Sequence, residues 1–119
     1  LFQANTVHPT KLRNAKKLAN LAEFFARSLR TAVNAKLWVI EKEKLSSEDP
    51  AVVKKAAKAM YKIALNEIQN AEDTIPLVEY DSRLGYEPSM EYMCDKEHLL
   101  HKIEATRSVL KTELAEYLR

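Results

Sequence analysis

The chain has 119 residues, of which 46% are hydrophobic, 30% are charged and only one is a glycine. This length suits a single domain with its own hydrophobic core, and the composition excludes an intrinsically disordered chain. Cys94 is the only cysteine, so an internal disulfide cannot form. The absence of disulfides favours a cytoplasmic location. No apolar run approaches the roughly 20 residues of a membrane span, so we predict no membrane association.

Positive and negative charges are divided unevenly between the two halves of the chain. Residues 1–60 carry 12 Lys or Arg and 5 Asp or Glu, a balance of +7, whereas residues 61–119 carry 7 and 12, a balance of −5. Two basic clusters in the first half lack interleaved aromatic side chains that could stack on bases. We therefore predict no nucleic-acid binding. The clusters are Lys11, Arg13, Lys16 and Lys17, and Lys54, Lys55 and Lys58.

Residues 1–10 show no periodicity and form a lead-in segment that ends at Thr10, a candidate N-cap. From residue 11 to about residue 45, apolar residues recur every three or four positions, which predicts one helix with a continuous apolar stripe. Phe24 and Trp38 lie beside the stripe, so we expect contact with two neighbours or with a surface outside this chain. The stripe consists of Leu12, Ala15, Leu18, Ala22, Phe25, Leu29, Val33, Leu37 and Ile40.

A second helix is predicted after the sequence SSEDP, where Asp49 is a good N-cap and Pro50 fits the first helical turn. Its apolar face contains many alanines, which allow close approach of the first helix. Pro76 lacks a backbone N–H and disfavours helix at the residue before it, so we expect the helix to stop or kink near Asp73. The face consists of Val53, Ala57, Met60, Ala64 and Ile68, with Ala56, Ile63 and Ala71 beside it.

A third helix is predicted with Asp95 as its N-cap, and no β pattern of any length is present. We therefore predict an all-α fold, an antiparallel three-helix bundle over residues 11–119. It has one very long first helix and an ordered irregular loop before the last helix. Because the chain starts at Leu1 rather than methionine, we expect a fragment of a larger protein. The inner face of the third helix consists of Leu99, Ile103, Thr106, Leu110, Leu114 and Tyr117.

Cys94, His98 and His101 are the candidate metal ligands of the sequence. Their spacing would place them on one face of a continuous helix, where a thiolate and two imidazoles could bind zinc. However, Cys94 precedes the predicted N-cap, a closed site needs a fourth ligand, and structural zinc motifs are usually richer in cysteine. We therefore predict neither a metal nor another cofactor.

The segment between the second and third helices holds the only glycine of the chain, and residues 81–92 within it are the candidate binding site. We expect an ordered, largely buried connection in which Arg83 pairs with at least one of the nearby carboxylates and Gly85 adopts a positive φ. Either the charges form a network that fixes the loop, or they line a sugar-binding cleft with tyrosine rings. The carboxylates are Glu79, Asp81, Glu87 and Glu91, and the candidate binding residues are Asp81, Arg83, Tyr86, Glu87 and Glu91.

Paired carboxylates are also what glycoside hydrolysis requires. The chain has no nucleophile–base pair, no Gly-rich phosphate loop and no triad order. Taken alone, it does not carry a complete catalytic constellation, so we name no catalytic residue.

Residues 70–103, NAEDTIPLVEYDSRLGYEPSMEYMCDKEHLLHKI, resemble the carboxyl-terminal helical region of large bacterial proteins related to α-glucuronidases and other glycoside hydrolases. In that group a long-helix region follows the catalytic barrel. His101 stands where the group has an aromatic residue. The resemblance implies a bacterial carbohydrate-active parent protein and identifies no catalytic residue in this chain. The matching positions are Asp81, Ser82, Arg83, Leu84, Gly85, Tyr86, Asp95 and His98.

Two functions are consistent with these patterns. The first is a non-catalytic module that packs on and steadies the catalytic domain of its parent chain, with carbohydrate as a further candidate ligand. The second is a stand-alone bundle for protein–protein interaction or homodimerisation. The second function predicts an exposed side of the first helix around Phe24 and Trp38.

Overall fold

The computed structural model describes residues 8–86 and 94–119. Within these ranges the chain is almost entirely helical and has no β-strand, so the predicted all-α fold is confirmed. The helices are α1 (Pro9–Glu43), α2 (Pro50–Tyr80), α3 (Lys96–Lys111) and α4 (Glu113–Leu118). Short 3₁₀ turns, Lys44–Ser46 and Ser82–Gly85, follow α1 and α2.

The starts of the three long helices are set by side-chain caps. Asp49 and Asp95 cap α2 and α3 as predicted, each by accepting a hydrogen bond from a backbone N–H of the first turn, at 2.8 and 2.9 Å. The predicted cap of α1 is wrong, because His8 takes that role. Its Nδ1 accepts a hydrogen bond from the backbone N–H of Thr10 at 3.2 Å. Pro9 then occupies the first helical position, where its missing N–H has no cost.

The second helix does not end near Asp73 as expected, but continues through Pro76 to Tyr80. Pro76 is exposed, so its ring faces solvent while the helix loses one backbone hydrogen bond. On either side of it, Thr74 and Val78 are each only 5% exposed. Tertiary packing of this face therefore overrides the local preference of proline.

α2 is the central helix of the fold. α1 and α3 both pack against it but make little contact with each other. The inner face of α3 and α4 is buried largely as predicted. Tyr117 is an exception and is 43% exposed; it lies in α4, after the interruption of the helix at Thr112. The buried apolar residues are Ala56, Ala57, Met60, Ala64, Ile68, Ala71, Val78, Leu99, Ile103, Leu110 and Leu114.

The arrangement is elongated. Its principal extents are 63 × 34 × 22 Å and its radius of gyration is 18.6 Å. A compact domain of this length would have a radius of gyration of about 13–14 Å. The long helices account for much of this elongation. Because α1 and α3 make little contact with each other, the bundle is also open and leaves large helix surfaces uncovered.

α1 contacts α2 through a set of polar side chains. The hydroxyl of Thr31 and the amide of Asn34 donate hydrogen bonds to the carboxylate of Glu67 at 2.7 and 2.6 Å. The amide of Asn70 donates to the Thr31 hydroxyl at 3.1 Å, and Lys102 of α3 also donates to Glu67. We call Thr31, Asn34, Glu67 and Asn70 the polar seam.

The carboxylate at the centre of the polar seam remains ionised. Burial alone would raise the pKa of Glu67, but the hydrogen bonds from Lys102, Asn34 and Thr31 outweigh burial and hold the pKa below its ordinary value. The seam therefore joins all three long helices through one satisfied charge.

Candidate functional site

The side of α1 that points away from α2 carries most of the large apolar side chains of this helix. Because α1 uses its polar side to contact α2, the predicted apolar stripe is left uncovered. Leu18 is 68% exposed and Phe25 is 64% exposed. We call these side chains, all at least 43% exposed, the outer face: Leu18, Leu21, Phe25, Leu29, Val33, Leu37, Val39 and Ile40.

The expectation that the free side of α1 lies around Phe24 and Trp38 is wrong. Both side chains are half-buried and pack against the core. They lie on the same side of the helix as Thr31 and Asn34, so contact with α2 covers them. The free surface is the stripe itself.

The outer face is larger than the apolar patches usually found on monomers. Leu18 to Ile40 span about 33 Å along the helix. Eight large side chains exposed by half present on the order of 800 Å² of apolar surface. The largest patch on a typical monomer covers roughly 300–600 Å² and is often functional.

Lys36 lies within the outer face. It is eighteen positions from Leu18, about five helical turns, so the two residues share one row along the helix. Lys36 is exposed, and no carboxylate of the described residues forms an ion pair with it. Its neighbours three and four positions away are all apolar. They are Ala32, Val33, Val39 and Ile40.

Two of the predicted site residues, Asp81 and Arg83, lie at one end of the outer face. The Nε and Nη2 atoms of Arg83 donate to the two carboxylate oxygens of Asp81 at 2.8 and 2.7 Å. The pair borders a recess of about 410 Å³ that also involves Leu18, Leu21 and Leu84. The expected pairing of Arg83 with a nearby carboxylate is confirmed, and Asp81 is the partner.

The ion pair keeps the carboxylate of Asp81, at the border of this recess, ionised. The side-chain hydrogen bonds from Arg83 lower the pKa of Asp81 to about 2. The Asp81 side chain is only 9% exposed, whereas that of Arg83 is 73% exposed. Burial of Arg83 is therefore a wrong expectation. Part of its guanidinium group faces solvent at the edge of the outer face.

Gly85 is required by a close approach of two backbone segments. A Cβ atom at this position would lie 2.4 Å from the carbonyl oxygen of Cys94 and 2.8 Å from its carbonyl carbon. The backbone N–H of Cys94 also donates to the Gly85 carbonyl at 3.3 Å. The predicted positive φ is not found at Gly85. Glycine is needed here for space, because the chain on both sides of the loop meets at this point.

Of the remaining predicted binding residues, only Tyr86 belongs to the described part of the chain. Tyr86 is exposed. Glu87 and Glu91 lie outside the described residues, as does the rest of the predicted loop up to residue 92. Glu79 pairs with Lys96 at 2.7 Å and not with Arg83. A sugar-binding cleft built from these residues stays a prediction.

The three candidate metal ligands lie in three different environments. Cys94 is half-buried, and burial raises the pKa of its thiol. His98 places its Nδ1 2.7 Å from Asp95 Oδ1 at the start of α3, and His101 is exposed. Within residues 8–86 and 94–119, no group of three or more His, Cys, Asp or Glu side chains could hold a metal ion.

A groove of about 380 Å³ runs over the polar seam between α1 and α3. Its walls are mainly apolar, with Trp38 on one side and Val109 on the other. The polar groups at its base, Thr31, Asn34 and Glu67, already bond to one another, and Lys102 bonds to Glu67. These hydrogen bonds join the three helices beneath the groove.

Comparison of the chain with protein-family models, with curated proteins and with solved structures gave no match. The description of the site therefore rests on its geometry. No described helix combines the length and the apolar character that crossing a membrane requires.

Sequence reasoning found the apolar stripe but not the direction in which it points. The signal that could have shown it is the run Arg27, Thr31 and Asn34, which lies on the opposite side of α1 from Leu29 and has the same helical period. Polar residues with this spacing match the polar residues Glu67 and Asn70 on α2. The position of Lys36 inside the stripe was missed for the same reason.

Proposed function

We propose that this chain is a non-catalytic helical module that docks on a protein domain through the outer face of α1. The observation that carries the proposal is the exposure of eight large apolar side chains along one helix. Covering such a surface is favourable by roughly 25 cal/mol per Å² of apolar area. The open arrangement of the helices also supports a module that is completed by a neighbour.

The identity of the neighbour is a finer part of the proposal. The resemblance of residues 70–103 to bacterial proteins related to α-glucuronidases supports a glycoside-hydrolase-like catalytic domain as the surface that α1 covers. In this arrangement the module steadies the catalytic domain and takes no part in the reaction. The purified chain should then release no product from aryl glycosides or glucuronides, and turnover by it would contradict a non-catalytic role.

The free state of the outer face can be tested with the variant Phe25→Gln, Leu29→Gln, Val33→Gln. If the face is a docking surface, the triple variant should keep the melting temperature of the unmodified chain within a few degrees. It should also lose most of the binding of an anilinonaphthalene dye. A matched control replaces Lys54, Lys58 and Lys62, which are exposed on α2, with glutamine.

Two results would overturn the proposal. The first is cooperative loss of structure in the triple variant, because it would mean that the outer face stabilises the isolated chain. The second is a stable dimer in sedimentation velocity that the triple variant abolishes. That result would favour the alternative function, a bundle that pairs with its own copy.

A further inference from the structure

Several cations of the chain pair with a carboxylate of a neighbouring helix: Arg27 with Asp73 at 3.1 Å, Arg107 with Glu72 at 2.8 Å, and Lys102 with Glu67. Lys36, on the outer face, has none among the described residues. Other exposed cations, such as Lys54 and Lys58, also lack an acidic partner in the described part of the chain, but Lys36 differs from them because the apolar side chains of the outer face surround it.

The helix itself cannot supply a partner for Lys36. A carboxylate on the same helix would have to lie three or four positions away, and those positions hold Ala32, Val33, Val39 and Ile40. Any surface that covers the outer face would also take the Lys36 ammonium group out of water. A buried charge without a partner is strongly unfavourable, so the covering surface must bring a carboxylate.

From this we infer that the partner of α1 is a protein surface with an apolar stripe that contains an Asp or Glu opposite Lys36. The inference rests on the proposed docking function and names the chemistry of the partner. The charge of α1 as a whole is eight Lys or Arg against three Glu, a balance of +5. Most of these cations lie outside the outer face, so their contribution is to steer an acidic partner toward the helix.

A second copy of this chain offers such a surface poorly. Its outer face carries one carboxylate, Glu43, at the end of α1, and an antiparallel pair that set Glu43 opposite Lys36 would overlap only the last turns of the two helices. Parallel pairing in register would place the two Lys36 ammonium groups together. Its more acidic half does not supply the apolar stripe either. Within the described residues, α3 exposes Leu100 as its one large hydrophobic side chain.

A flat anionic membrane surface fits less well than a protein. Glu43 lies in the same row of the helix as Phe25, eighteen positions away, and anionic lipid would repel its carboxylate.

The test uses three amphipathic helical peptides of about 20 residues, about 30 Å long. They share one leucine stripe and differ at a single position within it, which is Glu, Gln or Lys. Binding to the full chain is measured by fluorescence anisotropy at low and high salt. The Glu peptide should bind at least tenfold more tightly than the Lys peptide at low salt, and this ratio should shrink as salt rises.

Substitution at Lys36 provides the specific control. The preference should reverse in Lys36→Glu and disappear in Lys36→Met, whereas Lys54→Met should behave like the unmodified chain. Equal binding of the three peptides to the unmodified chain would overturn the acidic partner and leave the docking function standing. Binding that is unchanged in the triple glutamine variant of the outer face would overturn the docking function itself. Tighter binding to phosphatidylserine vesicles than to the Glu peptide would also overturn the inference.

Discussion

At the scale of single residues, the turn after α2 depends on one ion pair and one glycine. Asp81 accepts two hydrogen bonds from the Arg83 side chain, and its carboxylate also accepts one from the Arg83 backbone N–H at 3.3 Å. This arrangement starts the 3₁₀ turn Ser82–Gly85. Gly85 then lets the chain pass close to Cys94. The two features place Leu84 and Arg83 beside the outer face of α1.

Replacing Arg83 with glutamine should raise the pKa of Asp81 from about 2 toward about 3.9. The guanidinium group is the main cause of the low pKa. Because the pKa is depressed in the folded state, Asp81 stabilises the fold above about pH 4 and loses this effect as the pH falls toward 2. The titration can be followed by NMR of the carboxyl carbon. The control Arg30→Gln, an exposed position on α1, should leave the titration unchanged, and an Asp81 midpoint still near 2 in Arg83→Gln would contradict the assignment.

Replacing Gly85 with alanine should lower the free energy of unfolding by about 1–3 kcal/mol. The added methyl group would meet the backbone of Cys94, which cannot rotate away as a side chain could. Urea unfolding measures the change, and Lys54→Ala should stay within about 0.5 kcal/mol of the unmodified chain. Equal stability of Gly85→Ala and the control would show that the two backbone segments can separate without cost.

At the scale of the helices, hydrophobic periodicity locates α1, α2 and α3 but does not decide how α1 is oriented. The stripe from Leu18 to Ile40 is the stronger apolar signal, yet α1 contacts α2 through Thr31 and Asn34. A pattern of one helix cannot reveal this, because the choice depends on the polar residues of its neighbour. Pro76 shows the same limit: its local effect is visible in the sequence, whereas the packing that overrides it is not.

Replacing Glu67 with glutamine should lower the free energy of unfolding by about 1–3 kcal/mol, because Lys102 loses its partner and the seam loses a strong acceptor. The pKa of Glu67 is depressed, so the unmodified chain should also lose stability on acidification below the ordinary glutamate pKa. Urea unfolding at pH 7 and pH 4 measures both effects. Glu104→Gln, an exposed position on α3, is the matched control. A Glu67→Gln variant with unchanged stability and pH dependence would mean that the seam contributes no net stabilisation.

At the scale of the whole molecule, the chain is a layer built on α2 with little contact between α1 and α3. A bundle of three helices can be predicted from the composition and the helix caps. The openness of the bundle cannot be predicted in this way, because it depends on which helices contact one another. The proposed docking surface is the part of α1 that the fold leaves exposed.

The open arrangement predicts the scattering of the isolated chain. Small-angle X-ray scattering of the monomer should give a radius of gyration close to the 18.6 Å of the helical layer. A value near 13–14 Å, which is about that of a compact domain, would contradict it, because an intact α1 about 52 Å long does not fit in so compact a particle. The triple glutamine variant of the outer face should give the same radius as the unmodified chain.

The polar seam has a consequence for the accuracy of folding. A helix with a strong apolar side would ordinarily roll about its axis until that side met the core. If α1 rolled by half a turn, Leu29 and Phe25 would face α2, but Glu67 and Asn70 would be covered without Thr31 and Asn34 to bond them. Leaving such groups covered without these partners is costly. The seam thus favours the observed rotation of α1, in which the apolar side stays exposed.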